Sequence, residues 1–176
     1  MSDDFHKDLK LGDLGERMWS EHLRSLGHKN VSLSPKSHAV YWDVQIDDLG
    51  IRFEVKYDIK AWYWARKQDR EPNLFLEFWS NTKGKECGIL IVEADYLVYI
   101  IEELPHGVPI AYLFEVEQLV EHLRKASHDS VYRVTTNRIN GNDNVKGWVT
   151  PVSEITKKSN GFIKTITLQN EEINRI

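Results

Sequence analysis

Three residues between positions 43 and 56 have side chains whose types and spacing suit hydrolysis at a metal ion. Glu54 and Lys56 are two residues apart in a stretch that alternates apolar and polar residues, so on a β-strand both side chains leave the same face. Asp43 lies on the polar face of the preceding stretch and can point the same way. Two carboxylates can hold a hard cation such as Mg²⁺, and a lysine beside them can orient or deprotonate an attacking water. The set therefore predicts hydrolysis of a phosphodiester bond.

A β-hairpin is expected to position these side chains. Residues 39–46 and 51–58 alternate between apolar and polar types, which is the period of strands with one buried face. Residues 47–50 read Asp-Asp-Leu-Gly and have turn chemistry. One face of the hairpin is apolar and is predicted to pack on the core. The other face carries Asp43, Gln45, Arg52, Glu54, Lys56 and Asp58.

The elements around the hairpin predict one α/β or α+β domain over residues 1–176. An amphipathic helix is predicted ahead of the hairpin, over residues 9–26, and Gly27 marks its end. A second helix is predicted over residues 115–126 and a helical turn over residues 152–158. The predicted strands cover residues 29–33, 73–79, 88–92, 97–101 and 110–114, with weaker candidates at 131–135, 147–149 and 162–168.

Two motifs within residues 11–58 resemble those of a nuclease superfamily. Asp43, a ten-residue gap and Glu54-Val55-Lys56 resemble the signature of the PD-(D/E)XK, or restriction-endonuclease-like, nucleases. Gly15-Glu16 in the first helix resembles the glycine–glutamate motif of archaeal Holliday-junction resolvases and of a small bacterial family on the same core. A fainter similarity to small phage-type members continues through residues 73–96. The sequence departs from the motif in one respect, because Trp42 rather than proline precedes Asp43.

This resemblance implies a fold, a site and a cofactor. The implied fold is a restriction-endonuclease-like core, in which a mixed central β-sheet is flanked by helices. The implied catalytic residues are Asp43, Glu54, Lys56 and Glu16. The implied cofactor is Mg²⁺ or Mn²⁺, and its ligands would be Asp43, Glu54, Glu16 and the backbone carbonyl of Val55.

Other polar and aromatic residues are candidates for supporting roles. Gln45, Asp58 and Glu77 are candidate partners of the site. Gln45 and Asp58 are about as well explained as polar strand residues, and Glu77 is better explained as a surface residue of an edge strand. The segment that follows the hairpin mixes cations, which contact phosphates, with aromatics, which stack on unpaired bases. Its candidate nucleic-acid contacts are Lys60, Trp62, Trp64, Arg66 and Lys67. The alternative is a helix or loop that buries its tryptophans.

The C-terminal part, residues 131–176, is a second candidate nucleic-acid surface. Residues 131–165 contain six lysines and arginines against two acids. Arg138 and Lys146 are the candidate contacts within it. A solvated surface without a partner is the alternative explanation of this local positive charge.

Composition narrows the class of protein. The net charge of −4 argues against a surface that is basic throughout, although a local basic face can still bind nucleic acid. The single cysteine, Cys87, excludes an internal disulfide and makes a thiolate zinc site implausible. No apolar run approaches the ~20 residues of a membrane span, and the acidic, polar start has no signal-peptide character. A cytoplasmic protein without a membrane partner is expected.

The function predicted from these features is a metal-dependent endonuclease acting on DNA. Junction-resolving, restriction- or homing-like and phage DNA-processing activities all fit the motifs. Two alternatives stay open: an RNA-directed nuclease on the same core, and a non-catalytic nucleic-acid-binding module that retains the fold. A homodimer is also considered, because resolvases and many restriction enzymes act as dimers.

Overall fold

The computed structural model describes residues 3–35, 41–81, 83–102, 107–126, 133–139 and 142–168. Within them the chain forms four α-helices, a short 3₁₀ helix and strands of two sheets. The helices are α1 (Asp3–Ser25), α2 (Ala61–Lys67), α3 (Val116–Ala126) and α4 (Val152–Lys158). The strands are β1 (Val31–Leu33), β2 (Val44–Ile46), β3 (Ile51–Asp58), β4 (Asn73–Ser80), β5 (Lys85–Glu86), β6 (Tyr96–Ile101), β7 (Ile110–Glu115), β8 (Arg133–Ile139), β9 (Asn142–Pro151) and β10 (Phe162–Thr167).

The larger sheet has six strands in the order β1-β2-β3-β6-β7-β10. Strands β3 and β6 pair in parallel, and every other neighbouring pair in this sheet is antiparallel. The sheet is therefore mixed, and the prediction of a mixed α/β fold with a mixed central sheet is confirmed. The smaller sheet has the order β5-β4-β9-β8 and is antiparallel throughout.

Each face of the larger sheet has its own apolar core. Helix α1 covers one face, where Met18, Trp19 and Leu23 pack with Phe53, Val55 and their neighbours from β6 and β7. The smaller sheet and helices α3 and α4 cover the other face. The side chains buried there are Leu74, Leu76 and Trp148 of the smaller sheet, Leu97, Tyr99, Ile101 and Phe114 of the larger sheet, and Leu119, Leu123, Val152 and Ile155 of the helices.

Helix α1 ends where the sequence predicts. Gly27 adopts a left-handed backbone conformation with φ of +97°, which glycine reaches without the steric penalty of a side chain. The amide of His28 then donates to the carbonyl of Leu23 at 3.2 Å, so one of the last helical carbonyls gains a partner. None of the helices in the described ranges is both long and apolar enough to cross a membrane.

Two predicted strands differ from the structure. Residues 88–92 are not a strand, because Gly88–Leu90 forms a 3₁₀ helix. Gly88 has a φ of +53°, which strands do not adopt, and a Cβ there would lie 2.5 Å from the carbonyl oxygen of Glu77, so the chain turns close against β4 at this residue. The first strand of the hairpin is also shorter than predicted: β2 begins only at Val44, so residues 41–43 are not part of it, while residues 39 and 40 lie outside the described residues.

Candidate functional site

Asp43 lies immediately before β2 and uses its side chain to continue the pairing with β3. The amide of Asp43 donates to the carbonyl of Phe53 at 2.8 Å. Its carboxylate Oδ2 then accepts the amide of Val55 at 2.7 Å. A side chain here takes the place of a backbone acceptor, which is why β2 is short and why the Asp43 carboxylate is held against β3.

Asp43 and Glu54 lie close enough for their carboxyl groups to shift one another's pKa. Burial, followed by the charge of Asp43, raises the pKa of Glu54 to about 8. Burial also raises the pKa of Asp43, although the Val55 amide and Lys56 oppose this shift. Among the described residues, the Oε2 atom of Glu54 is buried with no hydrogen-bond partner. Asp43 thus has a backbone donor, whereas one oxygen of Glu54 is buried without one within the described ranges.

Glu16 approaches the same pair from helix α1. Its pKa is raised to about 7 by burial first, then by the charges of Asp43 and Asp13. Its charge in turn raises the pKa of Glu54. Glu16 and Asp13 also line a cavity of about 490 Å³ with Arg17 and Leu33. The three predicted carboxylates thus come from three separate elements and act on one another.

Gly15 explains how α1 comes so close to β3. A Cβ at position 15 would lie 2.8 Å from the Cβ of Tyr57 and 3.5 Å from a methyl group of Val55. The first distance is shorter than real side chains allow, so the close packing of this turn of α1 requires glycine. Gly12, one turn earlier, would meet nothing within 4 Å. Gly15 therefore acts by packing, and it brings the adjacent Glu16 to the edge of the sheet.

Lys56 is the cation of the site. It is partly buried on β3, and its charge lowers the pKa of both Asp43 and Glu54, against the larger effect of burial. The ammonium is thus close enough to the carboxyl pair to act on it electrostatically. This is the arrangement expected from the Glu54 and Lys56 spacing on one strand face.

The three candidate supporting residues have other partners in the structure. Gln45 accepts from Arg52 Nε at 3.0 Å and donates to Asp47 at 3.1 Å, on the polar face of the hairpin. Asp58 accepts the amides of Lys60 and Ala61 at 2.8 and 2.9 Å, and its second oxygen accepts the Tyr99 hydroxyl at 3.1 Å.

Asp58 consequently holds the turn into helix α2, because its carboxylate accepts the amides of Lys60, the N-cap residue, and of Ala61, the first residue of the helix. Glu77 lies on β4; burial raises the pKa of Cys87 and of Tyr99, and the charge of Glu77 adds to both shifts. Within the described part of the chain, neither Asp58 nor Glu77 forms a hydrogen bond with the carboxyl pair, and we assign Asp58 to the turn between β3 and α2.

The predicted nucleic-acid residues fall into two groups. Lys60 precedes α2, and Trp62, Trp64, Arg66 and Lys67 lie on it. Trp62 is partly buried against the core, whereas Trp64 is 49% exposed. Tyr63, which the sequence interpretation did not select, is 53% exposed.

The C-terminal candidates lie in the smaller sheet. Lys146 is exposed on β9 and pairs in register with Thr136 of β8. Arg138 lies on β8, and its side chain is outside the part of the chain that the structure describes. Residues 131, 132 and 169–176 of the predicted C-terminal surface also lie outside the described residues.

The donor set suits a hard cation held by two carboxylates. No group of three His, Cys, Asp or Glu side chains within the described residues is arranged to hold a metal ion. Asp43 and Glu54 form a pair of oxygen donors with one unpartnered oxygen, and Mg²⁺ in proteins commonly uses one or two carboxylates, with waters completing its shell. The amide and carbonyl of one strand residue point to the same side, so the Val55 carbonyl faces the edge where Asp43 lies. The residues present therefore fit Mg²⁺ or Mn²⁺.

Comparison with known proteins gives no relative: no protein-family model, curated protein or solved structure matches this chain.

Proposed function

We propose that this protein is a divalent-cation-dependent nuclease that hydrolyses phosphodiester bonds in DNA, built on a restriction-endonuclease-like core. The observation that carries the proposal is that the Asp43 carboxylate, held on β3 by the Val55 amide at 2.7 Å, and the buried carboxyl group of Glu54 interact electrostatically with one another and with Lys56. Burying two carboxyl groups together disfavours their ionised forms. A cation with a preference for oxygen ligands would reverse that effect and use the unpartnered oxygen of Glu54.

The position of the pair in the fold gives further support. An antiparallel hairpin, β2–β3, carries both carboxylates and the lysine, and β3 then pairs in parallel with β6. Helix α1 packs across the opposite face of β3 and adds Glu16 from the side. This order of helix glutamate, strand aspartate and Glu-x-Lys strand is the one that the PD-(D/E)XK resemblance implies.

The proposed reaction gives each residue a separate task. Asp43, Glu54 and the Val55 carbonyl would hold Mg²⁺, which supplies Lewis acidity toward the phosphate and lowers the pKa of a bound water. The Lys56 ammonium orients the attacking water and stabilises the negative charge that develops on the phosphate oxygens. Glu16 is placed beside the pair to accept a hydrogen bond from a water at the site. Glu16, Glu54 and Lys56 extend from a helix or a strand, and the Asp43 carboxylate is held by the Val55 amide, which limits their movement.

The test is a cleavage assay with labelled double-stranded, branched and single-stranded DNA and with RNA, in Mg²⁺, Mn²⁺ or EDTA. We expect cleavage of DNA in either metal and none in EDTA. Asp43→Asn should lose cleavage, whereas Asp48→Asn, an exposed carboxylate in the hairpin turn, should cut like the wild type. Cleavage that persists in EDTA, or in Asp43→Asn, contradicts the proposed site.

The same assay distinguishes the two alternative functions, an RNA-directed nuclease and a non-catalytic binding module. Cleavage of RNA alone would make this an RNA-directed nuclease on the same core. Binding of nucleic acid without cleavage under any metal condition would leave a binding module that retains the fold. The homodimer and the cytoplasmic location stay predictions of the sequence.

A further inference from the structure

Helix α2 has one buried side and one solvent-facing side. Ala61 and Ala65 are buried and Trp62 packs against the core cluster. The residues on the opposite side follow helical spacing, at positions i, i+3, i+4 and i+7. They are Lys60, Tyr63, Trp64 and Lys67, and we call them the α2 face.

The α2 face presents two aromatic rings to solvent between two lysines. Tyr63 and Trp64 are 53% and 49% exposed, with their ring centroids 5.2 Å apart in an edge-to-face arrangement. The Lys67 ammonium lies 5.4 Å from the centroid of the Trp64 ring. Lys60 and Lys67 are themselves exposed. Covering two such rings with a flat partner would be strongly favourable, because aromatic side chains bury a large apolar area.

The charge of this segment contrasts with that of the chain. Residues 60–70 contain four basic residues and one acidic residue, whereas the whole chain has a net charge of −4. A positive, aromatic surface on an acidic protein complements a polyanion that carries flat rings. A protein partner would use the aromatic rings but would not need the lysines on both sides of them.

The α2 face also lies close along the chain to the proposed cleavage site. A single turn joins β3 to α2, and the Asp58 side chain holds it through its bonds to the amides of Lys60 and Ala61. The Cα atoms of Lys56 and Trp64 can be at most ~20 Å apart, given four extended and four helical residues between them. That span corresponds to roughly six stacked nucleotides at ~3.4 Å each.

We propose that the α2 face is a stacking platform for unpaired bases, and that the nuclease acts on nucleic acid with a single-stranded segment beside the cut. This inference rests on the proposed nuclease function, because the strand held on Tyr63 and Trp64 would extend toward the proposed catalytic residue Lys56. Aromatic rings stack on any base, while the lysines contact the phosphates and carry no sequence information. In a duplex both faces of each base are already stacked, so a duplex cannot use the platform.

The test measures binding without cleavage. Fluorescence anisotropy in EDTA compares a labelled 12-nucleotide single strand with the duplex of the same sequence. We expect the single strand to bind more tightly, and Trp64→Leu to weaken its binding by about 10-fold, as expected for one lost base stack. Trp64→Phe keeps a ring and should stay within about twofold of the wild type. Leu49→Ala removes another exposed apolar side chain, in the hairpin turn, and should leave binding unchanged.

Each outcome bears on the inference separately from the nuclease proposal. Equal binding of strand and duplex, no binding of either, or full binding by Trp64→Leu overturns the stacking platform. Tyr63→Leu provides a second variant at an exposed position, and thermal unfolding checks that each variant is folded. Binding that depends on Trp64 without any cleavage in Mg²⁺ would support the platform and contradict the nuclease. Equal cleavage of single strands by the wild type and Trp64→Leu in Mg²⁺ would support the nuclease and contradict the platform.

Discussion

Replacing Glu54 by glutamine should stabilise the metal-free protein while it removes cleavage. In the wild type, the pKa of Glu54 is raised from 4.5 to about 8. A folded-state pKa above the unfolded value contributes stability at low pH, and that contribution is lost as the pH rises through the folded pKa. Glu54→Gln is neutral at every pH and should not suffer this loss. Its amide can donate to the Asp43 carboxylate, so the variant keeps a hydrogen-bonding partner.

The size of the effect follows from the pKa shift. One unit corresponds to about 1.4 kcal/mol, and at pH 7 the wild type would lose about 3 kcal/mol relative to low pH through Glu54 alone. Because Asp43 shares the site and relaxes with it, we expect Glu54→Gln to raise the free energy of unfolding by about 2–3 kcal/mol in EDTA at neutral pH. For a chain of this size, that is roughly 5–10 °C in Tm.

The assay is thermal unfolding in EDTA across about pH 4 to 8. The difference in Tm between variant and wild type should be near zero at the acidic end and grow as the pH rises. Glu86→Gln, at an exposed position on β5, is the control and should show no such growth. A variant that unfolds at the wild-type temperature near pH 8 would refute the claim that Glu54 is held beside Asp43 in an unfavourable ionised state.

Three further predictions test other parts of the site. Gly15→Ala should lower stability by about 1–3 kcal/mol through its clash with Tyr57, whereas Gly12→Ala should be neutral or stabilising by up to about 1 kcal/mol; equal Tm values for the two would show that α1 does not need the close contact. Lys56→Met should slow single-turnover cleavage by about 10²–10³-fold with little change in affinity, and weaker binding at an unchanged rate would instead make Lys56 a phosphate contact. Mg²⁺ should raise Tm more at pH 8 than at pH 6, because the raised pKa of Glu54 leaves its carboxyl protonated at the lower pH; equal Tm shifts at both values would argue against Glu54 as a ligand.

The sequence predicts the helices and strands of the site better than it predicts which groups their side chains contact. The alternation of residues 51–58 predicts β3 and the shared face of Glu54 and Lys56, and β3 has those bounds in the structure. The helix of residues 152–158 is likewise found where it is predicted. Both patterns depend on local periodicity, which the sequence contains directly.

The differences arise where one side chain replaces a backbone partner or where two elements cross. Asp43 shortens β2 because its carboxylate takes the Val55 amide, and alternation alone cannot distinguish such a residue from a strand residue. Gly88 turns the chain across β4, so an apolar run that reads as a strand becomes a 3₁₀ helix. Asp58 accepts two amides at the turn into α2 rather than contacting the carboxyl pair. The alternation of residues 51–58 could not predict this role, because it does not show where α2 begins.

The aromatic segment of α2 also shows that the sequence alone does not predict which side chains are buried. The sequence places Trp62, Tyr63 and Trp64 together, and only the position of the core separates the partly buried ring from the two exposed ones. The helical spacing of Lys60, Tyr63, Trp64 and Lys67 could have predicted that Tyr63 lies on the same exposed face.

The central claim is that Asp43 and Glu54 together bind a divalent cation, and a titration with Mn²⁺ tests it most directly. The fraction of bound Mn²⁺ can be measured by electron paramagnetic resonance, without a substrate. We predict saturable binding by the wild type and by Asp48→Asn, and loss of that binding in Asp43→Asn and in Glu54→Gln. Undiminished Mn²⁺ binding by folded Asp43→Asn and Glu54→Gln would contradict the account.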